Sequence, residues 1–230
     1  MKILGLIGGM SWVSTIDYYK LINEGINQKL GGLNFSECII YSFNYAVVKR
    51  NNVANDWDAN FRMVATAAES LKNSGAAGIV LCANTMHLIA DKVENAIGLP
   101  VINIATATAG AIQSRQLKKV GLLGTRFTME LDFFKSKLEG KGIETIIPPD
   151  EDRGFIHYTI FEELGRSLVK ESSKQRFLTI IQDLIERGAE GIILGCTEIP
   201  LLIQQPDVPV PVFDTTRIHA SAAVNFALSD

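Results

Sequence analysis

The chain has 230 residues, 47% of them hydrophobic, and a formal net charge of −3 at pH 7. That length suits one large or two small domains with a packed core, and the 22 Lys and Arg residues are scattered rather than clustered, which argues against a nucleic-acid or anionic-membrane surface and makes a small molecule the expected partner. No segment has the length and apolarity of a membrane span, and Cys38, Cys82 and Cys196 neither pair completely nor fall in a zinc-ligand pattern, so a reducing cytoplasm is expected.

Short apolar runs alternate with amphipathic stretches along the chain, the order expected of parallel sheets covered by helices. Met1 to Met10 lacks a charged n-region and a cleavage site and reads as a first strand. The first half carries strands near 2–7, 37–43, 78–82 and 100–104, with helices near 14–30, 56–73, 86–96 and 106–115. In the second half, strands fall near 119–124, 143–147, 191–195 and 210–213, and helices near 128–140, 153–169, 173–187, 198–204 and 216–228. Gly31-Gly32, Gly75 and Gly188 stop three of these helices.

The chain nearly repeats itself. Gly75-Ala76-Ala77-Gly78-Ile79-Val80-Leu81-Cys82-Ala83-Asn84-Thr85 aligns without a gap on Gly188-Ala189-Glu190-Gly191-Ile192-Ile193-Leu194-Gly195-Cys196-Thr197-Glu198. The starts of the halves, Ile3 to Gly8 and Val120 to Gly124, and their ends, Pro100 to Asn103 and Pro211 to Asp214, echo each other too. The expected fold class is therefore α/β: two pseudo-symmetric three-layer α/β domains with parallel sheets and a cleft between them. Residues 1–104 plus 211–230 form the N-terminal domain, because the last helix returns to the first half, and 105–210 form the second.

Ligands of open α/β sheets bind beyond the carboxyl ends of the strands. The turns there are Gly8-Gly9-Met10-Ser11, Asn84-Thr85, Gly124-Thr125-Arg126-Phe127-Thr128 and Thr197-Glu198. Small and hydroxylated residues at helix starts suit a carboxylate or phosphate, and equally serve as plain turns and caps. Gly8-Gly9 matches neither dinucleotide nor P-loop patterns, which argues against nucleotide binding.

Gly8-Gly9-Met10-Ser11-Trp12, Asn84-Thr85-Met86-His87, Gly124 to Thr128 and Gly195-Cys196-Thr197-Glu198, in this order and spacing, resemble the aspartate/glutamate racemase family over essentially the whole chain. The resemblance implies two domains related by pseudo-two-fold symmetry, a ligand between them, and catalysis with no pyridoxal phosphate, metal or nucleotide cofactor. It also implies a homodimer and a small amino-acid or dicarboxylate substrate. In such enzymes two thiols face opposite sides of the substrate α-carbon, one removing its proton and the other returning one. A free thiol is a poor match for that proton, so the site has to favour the thiolate and stabilise the carbanion.

The chain departs from this pattern at one thiol. The place directly before Asn-Thr is Ala83, with Cys82 one residue earlier, and a one-residue offset in a strand turns a side chain to the other face. The catalytic candidates are therefore Cys196 and Cys82, the latter also readable as a buried structural thiol, while Cys38 reads as strand packing. Met10, Ser11, Asn52, Ala83, Asn84, Thr85, Thr125, Thr197 and Glu198 are the substrate-binding candidates. His87 reads as a group that orients a thiol or carries protons at the mouth of the site, or as a surface residue, Glu198 as a partner of Cys196 or a first-turn carboxylate, and Arg126 as a ligand for a distal carboxylate or a solvent-facing side chain. Where some members carry a basic residue on the helix near 153–169, this chain has Glu162-Glu163-Leu164.

The leading function is a cofactor-independent racemase of aspartate or glutamate, with Cys196 as one base and the opposite face served by Cys82, water or a hydroxyl such as that of Thr85. Alternatives are a single-thiol decarboxylase or cis-trans isomerase of a dicarboxylic acid, and a binding protein that lost the chemistry with the first thiol.

Overall fold

Eight short apolar runs become eight strands, and every pairing between them is parallel. The computed structural model describes residues 1–230, and the chain divides into two units, Met1–Asn103 with His219–Asp230, and Ile104–Ile218. In chain order the first unit contains β1 (Leu4–Gly8), α1 (Trp12–Leu30), β2 (Cys38–Ser42), α2 (Tyr45–Val53), α3 (Trp57–Asn73), β3 (Gly78–Leu81), α4 (Ala90–Ile97) and β4 (Val101–Ile102). The chain continues with α5 (Ile104–Ser114), β5 (Lys119–Gly124), α6 (Arg126–Glu130), α7 (Asp132–Glu139), β6 (Glu144–Ile146), α8 (Asp150–Glu162), α9 (Glu171–Glu186), β7 (Ile192–Gly195), β8 (Val212–Asp214) and α10 (Thr215–Ala227). The strand order is β2-β1-β3-β4 in one sheet and β6-β5-β7-β8 in the other, so the sequence repeat is a repeat of topology.

In the first unit the central strands are buried on both faces, as parallel sheets require. Ile79 and Leu81 of β3 join Val64, Leu71 and Val93 in one core layer, while Val80 and the next residue but one, Cys82, join Tyr18, Ile22 and Ala223 in the other. Period-two alternation thus sorts neighbouring residues into separate layers. The second unit has one continuous core in which Leu122, Leu123, Ile193 and Leu194 meet Ile112, Phe134, Ile156, Phe177 and Leu184 from its helices.

The amide hydrogen bonds of β8 decide which unit it belongs to. Val212, Phe213 and Asp214 pair with Ile192, Ile193 and Leu194, which makes β8 an edge of the second sheet. The return to the first unit therefore begins at His219, inside α10, and not at residue 211. There Ala220, Ala223 and Val224 lie in the core layer of α1, and Gly25 lets Val224 approach, since a Cβ at Gly25 would come within 2.9 Å of it.

Four local readings differ from the sequence expectation. The helix expected over 153–169 ends at Glu162, followed only by the 3-10 turn Leu164–Arg166. The helix expected over 128–140 is broken at Leu131, whose backbone is extended (φ −81, ψ 153) between α6 and α7. The 198–204 segment forms only a short 3-10 turn, Ile199–Leu201, with Pro200 near its start. Helix α2 carried no clear periodic signal because Val48 is its single fully buried residue.

The turn after β1 shows why two glycines stand together. A Cβ on Gly8 would collide with the Thr15 side chain; one on Gly9, at φ +76, would collide with the backbone of Phe43. The approach is used, since Gly9 N–H donates to Thr15 Oγ1 (2.9 Å), that hydroxyl donates to the Ser11 carbonyl (3.0 Å), and Phe43 N–H donates to the Gly8 carbonyl (3.0 Å). Gly98, at φ +63, has open space around it. Gly98→Ala is therefore expected to cost about 1 kcal/mol, the left-handed backbone penalty alone, and Gly9→Ala about 3 kcal/mol or more, because a backbone clash adds to it. Urea denaturation of the two variants checks this; equal midpoints would refute the steric account.

Candidate active site

The register of each sheet settles which turn residues correspond. In the first unit Ile7 pairs with Leu81, and in the second Leu123 pairs with Leu194. The next residues are Cys82 and Gly195, and those after them are Ala83 and Cys196. Cys82 is fully buried in the α1 layer, with its thiol 3.8 Å from the Val80 carbonyl. Burial pushes that thiol far above its ordinary range. At Gly195 no side chain fits, since a Cβ would come within 2.8 Å of the Leu123 carbonyl and 3.1 Å of Thr128. Ala83 keeps some exposure and packs against the opposite layer from Cys82.

Cys196 emerges at the carboxyl end of β7, partly exposed, and its thiol donates to Glu198 Oε2 at 2.9 Å. The Thr197 hydroxyl donates to the same oxygen at 2.7 Å. Desolvation first, then the Glu198 carboxylate, raise the thiol well above its usual range, because a second negative charge beside the carboxylate is disfavoured. One proton is thus held between sulfur and carboxylate, an arrangement able to give a proton from sulfur or, once Glu198 takes it, to accept one there.

The other candidates are distributed as follows. In the second unit Thr125 caps α6, accepting from Thr128 N–H, and is nearly buried. In the first, Ser11 caps α1, accepting from Ser14 N–H at a long 3.5 Å, and Met10 is buried beneath it. Asn84 is buried at the start of the 3-10 turn Thr85–Ile89, and Thr85 is partly exposed. Asn52 closes α2, where its Oδ1 accepts from Asn60 (2.8 Å), a fully buried residue of α3 whose own Oδ1 accepts from Asn51 (3.1 Å). Asn60 carried no motif; its place on the buried face of an amphipathic helix was the only signal available.

Several charged candidates turn out to be committed elsewhere. Arg126 is ion-paired with Glu130 (2.7 Å) and Asp150 (2.9 Å), and Arg153 pairs with the same two carboxylates. Glu163 is buried, accepts from Ser173 Oγ (2.6 Å) and Lys170 Nζ (3.0 Å), and is held below the usual carboxylate range first by Ser173 and then by Lys170; it ties the end of α8 to the start of α9. His157 accepts from Arg126 N–H through Nδ1 (3.2 Å) and contacts Phe161 edge-on. His87 is buried and not on the surface. No three His, Cys, Asp or Glu side chains converge as metal ligands would, and no helix is long and apolar enough to cross a membrane.

The family model for Asp/Glu/Hydantoin racemase matches residues 7–223. The broad specificity amino-acid racemase RacX of Bacillus subtilis is 22% identical over 232 residues, covering 98% of both chains. Among solved structures, a Yersinia pestis protein described provisionally as an Asp/Glu racemase superposes with a TM-score of 0.95 at 48% identity, and an aspartate racemase homologue from Pyrococcus horikoshii OT3 with 0.87 at 38%, each covering 100% of both chains. With its two four-stranded parallel sheets, its Cys196 turn and a match over almost its whole length, the chain belongs to the Asp/Glu/Hydantoin racemase family and is an isomerase of the racemase type.

Proposed function

We propose that the protein racemises an acidic amino acid, aspartate or glutamate, with Cys196 as its only catalytic thiol. The observation that carries this reading is the Cys196–Glu198 hydrogen bond at 2.9 Å, set against the complete burial of Cys82. In one direction the Glu198 carboxylate takes the thiol proton, the thiolate so formed takes the α-proton, and the carbanion left behind receives a proton on its other face. In the reverse direction the Cys196 thiol delivers its proton to the carbanion, and the thiolate regains one from solvent by way of Glu198. The developing negative charge calls for donors that are already in place, a role for backbone N–H groups of the turn that carries Cys196. Water or a hydroxyl serves the face opposite the thiol, a weaker acid-base group than sulfur, so forward and reverse rates differ while the equilibrium between enantiomers stays at unity. Cys82 takes no part in this scheme.

Proton NMR with L-aspartate, then L-glutamate, in deuterated buffer tests it. The expected result is loss of the α-proton signal together with appearance of the D-enantiomer, both reduced by about 10³-fold or more in Cys196→Ala and left within about threefold in Cys82→Ser if that variant folds. Exchange with retained configuration would leave a single-face thiol enzyme, and carbon dioxide release from a dicarboxylate would establish the decarboxylase alternative. No exchange of either amino acid would refute the racemase reading.

Glu198 supplies the second check. Replacing it with Gln removes the charge that raises the thiol, so Cys196 in Glu198→Gln should titrate at lower pH and be alkylated by iodoacetamide at pH 7.5 about tenfold faster. Peptide mass mapping assigns the label; an unchanged rate would remove Glu198 from the scheme.

We further propose that the protein works as a homodimer through the start of α1. Trp12, Ile16 and Tyr19, spaced to share one helix face, are 69%, 53% and 50% exposed, and an apolar stripe of that kind on a surface helix is a common mark of an interface. Light scattering is expected to give the mass of two chains for the wild type and of one for Ile16→Glu; a monomeric wild type would refute it.

A further inference from the structure

Beneath the Ala83 turn the first unit carries a chain of polar groups shut away from water. Tyr18 of α1 is fully buried, with its hydroxyl 2.8 Å from Nδ1 of His219 in α10. Nε2 of His219 lies 2.6 Å from the Ile102 carbonyl of β4. A carbonyl only accepts, so His219 carries its proton on Nε2, and its Nδ1 is the acceptor for the tyrosine O–H. His87, 3% exposed, lies edge-on to His219 with ring centres 5.1 Å apart, and its Nδ1 is 3.0 Å from the Ala83 carbonyl. The same argument puts the proton of His87 on Nδ1, while its Nε2 stands 3.5 Å from the Ile102 carbonyl, beyond a good bond. Both rings are neutral, burial holding His87 to about 4 and, with the neighbouring His87 added, His219 to about 3.

We infer that His87 is a positioning residue, whose Nδ1–H bond to the Ala83 carbonyl, backed by His219 and Tyr18, sets the conformation of the Ala83–Asn84–Thr85 turn. A second bond, from His87 N–H to the Asn84 carbonyl (3.0 Å), anchors the same turn, so one residue grips two successive peptide units. Ala83 is only partly exposed, so a carbonyl there that loses its donor is left poorly solvated, and without the imidazole the turn would reorganise to reach water. This also gives the return of α10 a purpose: the helix brings His219 under the turn, next to the layer that holds Cys82. That the turn holds a substrate rests on the function proposed above; the hydrogen-bond chain itself does not.

The test uses the whole 230-residue chain. Two-bond proton–nitrogen correlation of the imidazoles at pH 7 is expected to show neutral rings, with His87 protonated on Nδ1 and His219 on Nε2. Amide hydrogen exchange in the peptide covering the turn should rise about tenfold in His87→Leu and stay within about twofold of wild type in His87→Asn, whose amide nitrogen falls where Nδ1 was. With L-aspartate or L-glutamate, His87→Leu should raise KM about tenfold with kcat within about threefold, and His87→Asn should restore it. An Nε2–H tautomer at His87, or equal exchange in the Leu and Asn variants, would overturn the positioning role, as would a KM that stays put while exchange rises. Should His87→Leu fail to fold, the wild-type tautomer and the exchange of Tyr18→Phe, expected to rise about threefold at the turn, decide the matter. A wild type inactive on both amino acids would count against the function alone, since tautomer and exchange are read without substrate.

Discussion

A strand buried on both faces can send its side chains in only two directions, and consecutive residues must take opposite ones. In β3 that constraint puts Ile79 and Leu81 against α3 and α4 and puts Val80 and Cys82 against α1 and α10. Because the second sheet has the same strand order and the same register at Leu194, position 196 there is the counterpart of position 83, not of position 82. The different surroundings of Cys82 and Cys196 follow from this single offset. A thiol one residue early is a core residue; a thiol on the matching residue stands at the end of the sheet. Gly195 completes the picture, since the space that Cys82 fills in one unit is taken by Thr128 and the Leu123 carbonyl in the other.

Both units use a threonine on the first helical turn to close the end of their first strand. Thr15 receives Gly9 N–H and packs where a Cβ of Gly8 would be, and Thr128 approaches Gly124 while bonding Thr125. The glycines of the first turn are thus explained by packing, independently of any ligand. What differs between the units is the residue beside the turn. In the second, a thiol, a hydroxyl and a carboxylate share one proton-rich corner; in the first, an alanine methyl replaces the thiol and the polar partners lie underneath, on the imidazole of His87.

The charged side chains that looked suited to a second carboxylate are tied up in ion pairs. Arg126 and Arg153 form a four-membered network with Glu130 and Asp150 on the surface of the second unit, and such exposed pairs contribute little stability but do occupy their guanidinium groups. Glu163, at the end of α8, is consumed by Ser173 and Lys170 in joining two helices. Of the neutral candidates, Asn52 is steadied by buried Asn60, and the hydroxyls of Thr125 and Thr197 bond within their own turns.

Most of the architecture was readable before any coordinates. Periodicity and the gapless repeat located all eight strands and the long helices, and the motif around Cys196 singled out the thiol that stands beside Glu198 at the end of β7, because these signals are carried by residues close together in the chain. Even the offset at Ala83 was visible, since alternation is a local rule. Where backbone and side chains answer to distant partners the sequence was silent: β8 joins the second sheet through bonds to Ile192, Ile193 and Leu194, Leu131 breaks a helix that its periodicity favours, and Arg126 meets Asp150. His87 shows this most plainly. Its motif marked it as notable, but only the packing of α1 and α10, which joins Tyr18 to His219 across 201 positions of sequence, turned it inward against the Ala83 carbonyl. The chain by itself determined the elements and the turn that carries Cys196 because these depend on neighbours in sequence. Tertiary structure alone decided which polar groups are buried, paired or available, because desolvation and hydrogen bonding depend on neighbours in space.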